Sequence, residues 1–158
     1  RSCTHKYWTS HRFSQEVRES YNQALDQIAA KIKGAQFHLV GFSGGGAIAA
    51  LLAEQRADVT TLRTIAGNLD HAALNRARRV SQLTGSLNAI SKAAKLREMP
   101  QIHYSGGDDE TVPSWVAQHF AQAVGASSCV KTILVPGASH LDGWLSYWAV
   151  ESARRPSC

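Results

Sequence analysis

The chain has 158 residues, 44% of them hydrophobic and 18% charged, with a formal net charge of +5. That length predicts one domain with room for a core, and no apolar run reaches the roughly 20 residues that a membrane-spanning helix needs. Nucleic-acid binding requires cations focused on one face beside stacking aromatics. Here only Arg76, Arg78 and Arg79 and the group Lys92, Lys95 and Arg97 cluster at all, so the basic balance reads as a solvated face, with no nucleic-acid partner.

The opening residues Arg1 to His5 are polar and carry no signal-peptide pattern, so any targeting segment is expected to be removed or to lie outside this sequence. Ser14 reads as an N-cap, and Val17, Tyr21, Leu25, Ile28 and Ile32 recur at three- and four-residue steps over a helix from Gln15 to Lys33, which Gly34 ends. Phe37 to Gly41 is a short, almost continuously apolar run, the pattern of a parallel strand covered on both faces. A helix from Ser43 to Gln55, a strand from Val59 to Ala66, and a strand from Gln101 to Ser105 follow. Pro113 is expected to open a helix through Val124. Val130 to Val135 then reads as a fourth strand, and Asp142 as the cap of a last helix from Gly143 to about Ala153. Short strands alternating with helices imply right-handed crossovers and a parallel sheet, hence an α/β fold of about four strands in a single domain, 1–158. Residues 68–99 are the one long insertion between strands, and their two weakly helical pieces, 72–80 and 87–96, are expected to form a cap or lid over the carboxyl edge of the sheet.

Gly41-Phe42-Ser43-Gly44-Gly45 is the most informative stretch. It is a G-x-S-x-G pentapeptide lying between an apolar strand and an apolar helix. A serine on so tight a turn has a strained backbone that lifts its Oγ above the sheet, and glycine neighbours let strand and helix pack closely. The helix behind it aims unpaired N–H groups and a positive dipole end at the position where an oxyanion would form. Serine is a weak nucleophile at neutral pH, so it needs a base within hydrogen-bond reach and an acid that orients the base. In open parallel sheets such groups gather beyond the carboxyl ends of the strands. Two loops qualify: Gly106 to Pro113, which holds Asp108 and Asp109, and Pro136 to Trp144, which holds His140.

Gly106 to Pro113 as G-x-x-D-x-x-V-P and Pro136 to His140 as P-G-x-x-H, together with the elbow, resemble the acid, histidine and nucleophile loops of α/β-hydrolase-fold serine hydrolases of the esterase and lipase kind. The resemblance implies Ser43 as nucleophile, His140 as general base and then acid, Asp109 as the orienting acid, and Gly44 as one oxyanion donor. Asp108 and Asp70 stand as alternatives for the acid. Phe42, Asn68 and His71 are candidate substrate contacts, although a surface or capping role is the simpler reading of His71. The implied reaction is hydrolysis of a small-molecule carboxylic ester through an acyl-enzyme. Peptidase, thioesterase and acyltransferase chemistry use the same three groups, and an impaired fragment that only binds is the alternative of a different class. No cofactor is implied.

His38, His103 and His119 fall inside predicted elements, His5 and His11 in the opening segment, and no pair has metal-ligand spacing, so no metal site is read. Trp144, Tyr147 and Trp148 recur at helical spacing and read as core. Cys3, Cys129 and Cys158 are odd in number, widely spaced and free of C-x-x-C. One disulfide with one orphan, a bond to a segment outside this sequence, and three reduced thiols are all compatible with that pattern, and the cysteines lean towards a secreted or periplasmic protein. Complete hydrolases of this fold carry about eight strands, with the elbow after the fifth. The resemblance therefore covers a carboxyl-terminal part, with the first strands lacking. The strand before the elbow is expected to have one open edge, completed by a second chain, by a homodimer, or by residues 1–12 folded back with Tyr7, Trp8 and Phe13 as anchors.

Overall fold

The computed structural model describes residues 4–158. Four parallel strands form one sheet in the order β1-β2-β3-β4, with β1 at Phe37–Phe42, β2 at Val59–Ile65, β3 at Gln101–Gly106 and β4 at Val130–Val135. The strands pair in chain order, from Leu39 against Leu62 through Thr64 against His103 to Tyr104 against Ile133. The ends of the elements match the sequence reading within two residues, except that the helix expected over 72–80 stops at Ala77. The helices are α1 (Gln15–Lys31), α2 (Gly44–Ala53), α3 (His71–Ala77), α4 (Trp115–Val124) and α5 (Trp144–Glu151), with 3₁₀ turns at His5–Trp8 and Ala89–Leu96. None of the described helices is long and apolar enough to cross a membrane.

Ser14 does cap α1, its hydroxyl accepting from the Val17 N–H at 3.4 Å. Asp142 does not cap α5. That position belongs to Gly143 in the left-handed region at φ 85°, and Asp142 is instead tied to Ser139, whose hydroxyl accepts its N–H at 3.0 Å. The difference is physical: a residue that closes the preceding loop cannot also turn its side chain onto the helix, and glycine adopts the positive φ at little cost.

One face of the sheet carries α2, α4 and the 3₁₀ segment Ala89–Leu96 over a core of Leu51, Leu62, Leu96, Val116 and Phe120. α1 lies outside α2 and has no fully buried residue: Val17 and Leu25 touch the core, while Tyr21, Ile28 and Ile32 are exposed. The other face carries α5, whose Trp144, Tyr147 and Trp148 pack with Ile65, Ile102 and Tyr104. Of the 68–99 insertion, the second piece is part of the first helix layer, with Ala89, Ala93 and Leu96 buried beside α2 and α4.

Two polar contacts fix the rear of the fold. His103, fully buried in β3, accepts from the Thr64 hydroxyl at 2.8 Å and donates to Gln101 Oε1 at 2.9 Å. Burial pushes its pKa down to about 3, so it is a neutral, satisfied core histidine. Arg63 donates to the carbonyls of Ser152 and Arg154, anchoring the tail after α5. A disulfide joins Cys129 to Cys158 across 29 residues, enclosing β4, the loop of His140 and α5. Cys3 lies outside the described residues.

Among the described residues, β1 has β2 as its one strand neighbour. The expectation that residues 1–12 fold over its open edge is not met by the described part of that segment. Residues 10–13 bond to the 84–87 turn instead, through Gly85 N–H to Ser10 O and Leu87 N–H to Phe13 O. A polar segment with three aromatic anchors finds more partners in that turn than along an apolar strand edge.

Candidate active site

The elbow follows from glycines at two positions. A Cβ on Gly41 would stand 2.3 Å from the Gly45 carbonyl, and one on Gly46 would stand 2.9 Å from the Gly67 Cα. Side chains there would force α2 away from β1 and β2. Gly45, the last position of the pentapeptide, has open space around it, so close packing requires the glycine one residue later. Ser43 adopts φ 51° and ψ −120°, a region costly for any residue with a Cβ. Its N–H donates to Ile65 O and its carbonyl accepts from Asn68 and Gly46, which hold it there at 2.9 to 3.0 Å.

Asp109, Ser43 and His140 form one hydrogen-bonded chain. Ser43 Oγ lies 3.0 Å from His140 Nε2, and His140 Nδ1 lies 2.9 Å from Asp109 Oδ2. A carboxylate only accepts, so Nδ1 carries the proton and Nε2 faces the serine hydroxyl as an acceptor. The Asp109 side chain is wholly buried, and its other oxygen accepts the N–H groups of Thr111 and Val112, each at 2.8 Å. Neither Asp108 nor Asp70 reaches the imidazole. Asp108 is exposed. Asp70 caps α3 through the Ala73 N–H and pairs with His119 Nδ1 at 2.9 Å.

The His140 loop is braced from below. Trp144 Nε1 donates to Ser139 O at 2.9 Å and to His140 O at 3.2 Å. A Cβ on Gly106 would stand 2.3 Å from Ala138 O, so the loops of Asp109 and His140 touch through a glycine. The first N–H of α2, on Gly44, has no acceptor within its helix and sits next to Ser43.

The remaining candidates divide. Phe42 lies half-exposed with its ring 5.2 Å from the His140 ring. Asn68 donates its N–H to Ser43 O, and its side-chain oxygen is buried without a partner. His71 is buried, not on the surface; its Nε2 donates to Leu87 O at 3.1 Å, and burial lowers its pKa. Capping belongs to its neighbour Asp70. Phe13, absent from the sequence-based site, stands over the elbow, its ring 3.2 Å from where a Gly44 Cβ would be and 5.8 Å from the His71 ring. The signal for it is weak: one apolar residue ahead of an N-cap. α3 borders the acid loop, where Arg78 donates to Glu110 O. A cavity of about 1070 Å³ lies between Tyr7, His11, α1 and the 84–87 turn and includes none of Ser43, His140 or Asp109.

No protein-family model matches the chain, and no curated protein sequence matches it. Among solved structures it is similar to a monoacylglycerol lipase of Paleococcus ferrophilus, at 14% identity and a TM-score of 0.66 over 85% of this chain and 73% of that one. The hydrolase GrgF from Penicillium sp. sh18 superposes with a TM-score of 0.67 at 15% identity, over 89% of this chain and 68% of that one. The esterase domain of a Rhodothermus marinus protein does so with a TM-score of 0.53 at 21% identity, over 66% and 51%. The chain has the α/β-hydrolase fold. Within that fold the Ser43 turn is the strand-to-helix elbow, and the loops of Asp109 and His140 follow the next strands but one and but two at the same edge of the sheet.

Proposed function

We propose that this α/β-hydrolase-fold chain is a serine hydrolase that cleaves small carboxylic esters. Ser43 is the nucleophile, His140 the general base and then acid, and Asp109 the group that orients the imidazole. The observation that supports this reading is the unbroken run of hydrogen bonds from the strained Ser43 through His140 to the buried Asp109. In the first half-reaction His140 Nε2 takes the hydroxyl proton as Ser43 Oγ attacks the ester carbonyl. The tetrahedral oxyanion accepts from the Gly44 N–H, and the protonated imidazole then gives its proton to the leaving alcohol. Water deprotonated by His140 attacks the acyl-serine, and collapse frees the acid and Ser43. Asp109 accepts from two main-chain N–H groups and from Nδ1–H, which holds the imidazole in place throughout.

Phe42 and Phe13 flank the elbow and form apolar walls for the acyl or alcohol group, with Asn68 bonded to Ser43 O and His71 against the Phe13 ring. α3, the part of the 68–99 insertion that borders the acid loop, serves as cover for the site. A second reading, a chain that binds esters but turns them over slowly, is favoured by one observation: Gly44 is the one N–H identified at the oxyanion position. Loss of one oxyanion donor costs on the order of 10²–10³ in rate.

A fluorophosphonate probe separates these readings. An adduct mapped to Ser43, with release of alcohol from an aryl ester, supports the hydrolase. Labelling without turnover selects the slow binder, and no adduct at Ser43 overturns both.

A further inference from the structure

A cleft beside the elbow carries a second inference. It is the cavity of about 1070 Å³ between Tyr7, His11, α1 and the 84–87 turn. Its end is braced by bonds across the two segments. The Ser86 hydroxyl donates to Ser10 O at 2.9 Å and accepts the Phe13 N–H at 3.1 Å. The His11 ring fills the space that a Cβ on Gly85 would need, and its Nδ1 lies 2.8 Å from Ser10 Oγ. Leu87 joins the cleft to the nucleophile. It lines the cleft, donates its N–H to Phe13 O at 2.9 Å and accepts from His71 Nε2 at 3.1 Å, while the Phe13 ring packs on Gly44. One aromatic side chain therefore separates the cleft from the elbow.

The lining selects the chemistry of what fits. No lysine or arginine lines the cleft, so it has no fixed cation for an anionic group. Val17 and Leu87 are its aliphatic side chains, and an alkyl group laid along the rest would strand polar atoms. A cation is already provided for by the chain itself. Glu16 takes its own main-chain N–H and the Ser14 hydroxyl, which hold its carboxyl below the usual range, and Lys6 Nζ lies 3.9 Å from it. The same ammonium stands 4.8 Å from the centre of the Tyr7 ring. What remains is a stripe of α1 with Glu19, Ser20 and Gln23 on one helical face, together with the Tyr21 ring. A carboxylate only accepts, whereas amides and hydroxyls both donate and accept. A neutral ligand with several hydroxyls and a flat C–H face answers such a set, its hydroxyls meeting the polar side chains and its C–H groups the aromatic ring.

We propose that this cleft binds the sugar of a sugar ester, as the alcohol released when Ser43 is acylated. The proposal rests on the reading of the chain as an ester hydrolase and adds the class of its substrate. In the acylation step the bond from Ser43 Oγ to the acyl carbon forms and the bond from that carbon to the sugar oxygen breaks. His140 gives the proton taken from Ser43 to the departing sugar oxygen. A sugar that extends past Phe13 and Leu87 lies along α1, where the Tyr21 ring and the Glu19 and Gln23 side chains hold it while the ester carbonyl is at Ser43. Contacts so far from the reacting bond are equal in the ground and transition states, so their removal raises KM more than it lowers kcat.

The test compares monoacetylated cellobiose with hexyl acetate as substrates of the chain. The sugar ester is expected to have a kcat/KM at least about tenfold higher, the scale of a stacking contact with a hydrogen bond beside it. Glu19→Ala combined with Tyr21→Ala, which keeps α1 helical, should bring the ratio of the two substrates towards one, mainly through KM for the sugar ester. Equal kcat/KM values in the wild type, or a ratio that the double variant leaves unchanged, overturn the proposal. Saturation-transfer NMR with free cellobiose on Ser43→Ala reads the cleft without catalysis. Transfer to the sugar protons is expected, and its loss when the two α1 substitutions are added. Cellobiose binding with no preference for its ester keeps a sugar in the cleft and overturns its place as leaving group. Absence of turnover of both esters, with no fluorophosphonate adduct, sinks the hydrolase reading. In that case cellobiose binding that the α1 substitutions abolish still supports a sugar site, and no binding overturns it.

Discussion

Two histidine–aspartate pairs stand at the carboxyl edge of this sheet with the same geometry. His140 Nδ1 lies 2.9 Å from Asp109, and His119 Nδ1 lies 2.9 Å from Asp70. Both carboxylates are buried and both take further donors: the Thr111 and Val112 N–H groups for Asp109, the Ala73 N–H and Asn88 Nδ2 for Asp70. The difference is on the far side of each ring. His140 is 15% exposed with Ser43 Oγ at its Nε2, whereas His119 is 48% exposed on α4 and faces water. A buried carboxylate satisfied by an imidazole is thus a structural device that this chain uses twice. Chemistry needs a third group held in a strained turn, and only one pair has it.

Substitutions can break that comparison, starting from its largest expected effect. Ser43→Ala should lower ester turnover by about 10⁶ and abolish the fluorophosphonate adduct, as removal of a serine nucleophile does elsewhere. Asp109→Asn should lower kcat by about 10⁴ by favouring the wrong imidazole tautomer. Asp70→Asn should leave kcat within about twofold and keep the α3 cap, and instead cost about 1–2 kcal/mol in chemical denaturation by setting an amide where a carboxylate accepts from His119 and Asn88. Should Asp70→Asn lower kcat as far as Asp109→Asn, the division of labour between the pairs is wrong.

Smaller effects sharpen the contrast by showing where stability resides. Cys158→Ser opens the 29-residue loop that encloses His140, and the loop-closure relation sets its cost at about 3–4 kcal/mol. Thermal melts with and without reductant should differ for the wild type and coincide for the variant. Two groups outside both pairs give folding a pH dependence. His103 is held near 3 in the folded chain against an ordinary 6.5, so the unfolded chain binds the extra proton between these values. Stability should therefore fall as pH drops from 6.5 towards 3, with no contribution from this group above 6.5. Glu54 behaves oppositely: burial raises it from 4.5 to about 7, and one of its oxygens is buried without a partner. The folded chain holds its proton more tightly, so this group lowers stability as pH rises from 4.5 to 7. Glu54→Gln should then raise Tm at about pH 8 and change it little at about pH 5. A larger gain at the acid end would show that the carboxyl is solvated in the folded chain.

Much of the architecture was legible along the chain, because its signals are local. An apolar run of strand length, a periodic run with Ser14 ahead of it and Gly34 after it, and a G-x-S-x-G between strand and helix each express a constraint within a few residues. The positive φ of Ser43 follows from that turn. The choice between Asp108 and Asp109 rests on the G-x-x-D-x-x-V-P spacing, which names Asp109. Adjacent residues in a loop point apart, and the fold buries Asp109 against His140 while Asp108 stays exposed. Asp70 and His71 illustrate the limit of such local signals: Asp70, an alternative for the acid, caps α3 and pairs with His119, while His71, expected on the surface or as a cap, is buried with Nε2 on Leu87 O.

The sequence by itself determined the strand and helix succession, the elbow and the order of serine, acid and histidine, since bonds between near neighbours and the period of apolar residues require nothing distant. Tertiary structure alone decided that Asp70 turns to His119, that Phe13 stands over Gly44, that Cys129 meets Cys158, and that α5 leaves Val40 and Phe42 of β1 exposed. Those contacts join residues between 29 and 49 positions apart, or depend on which helix covers which strand. Their energies arise from burial and partner choice in a packed interior, which no local pattern encodes.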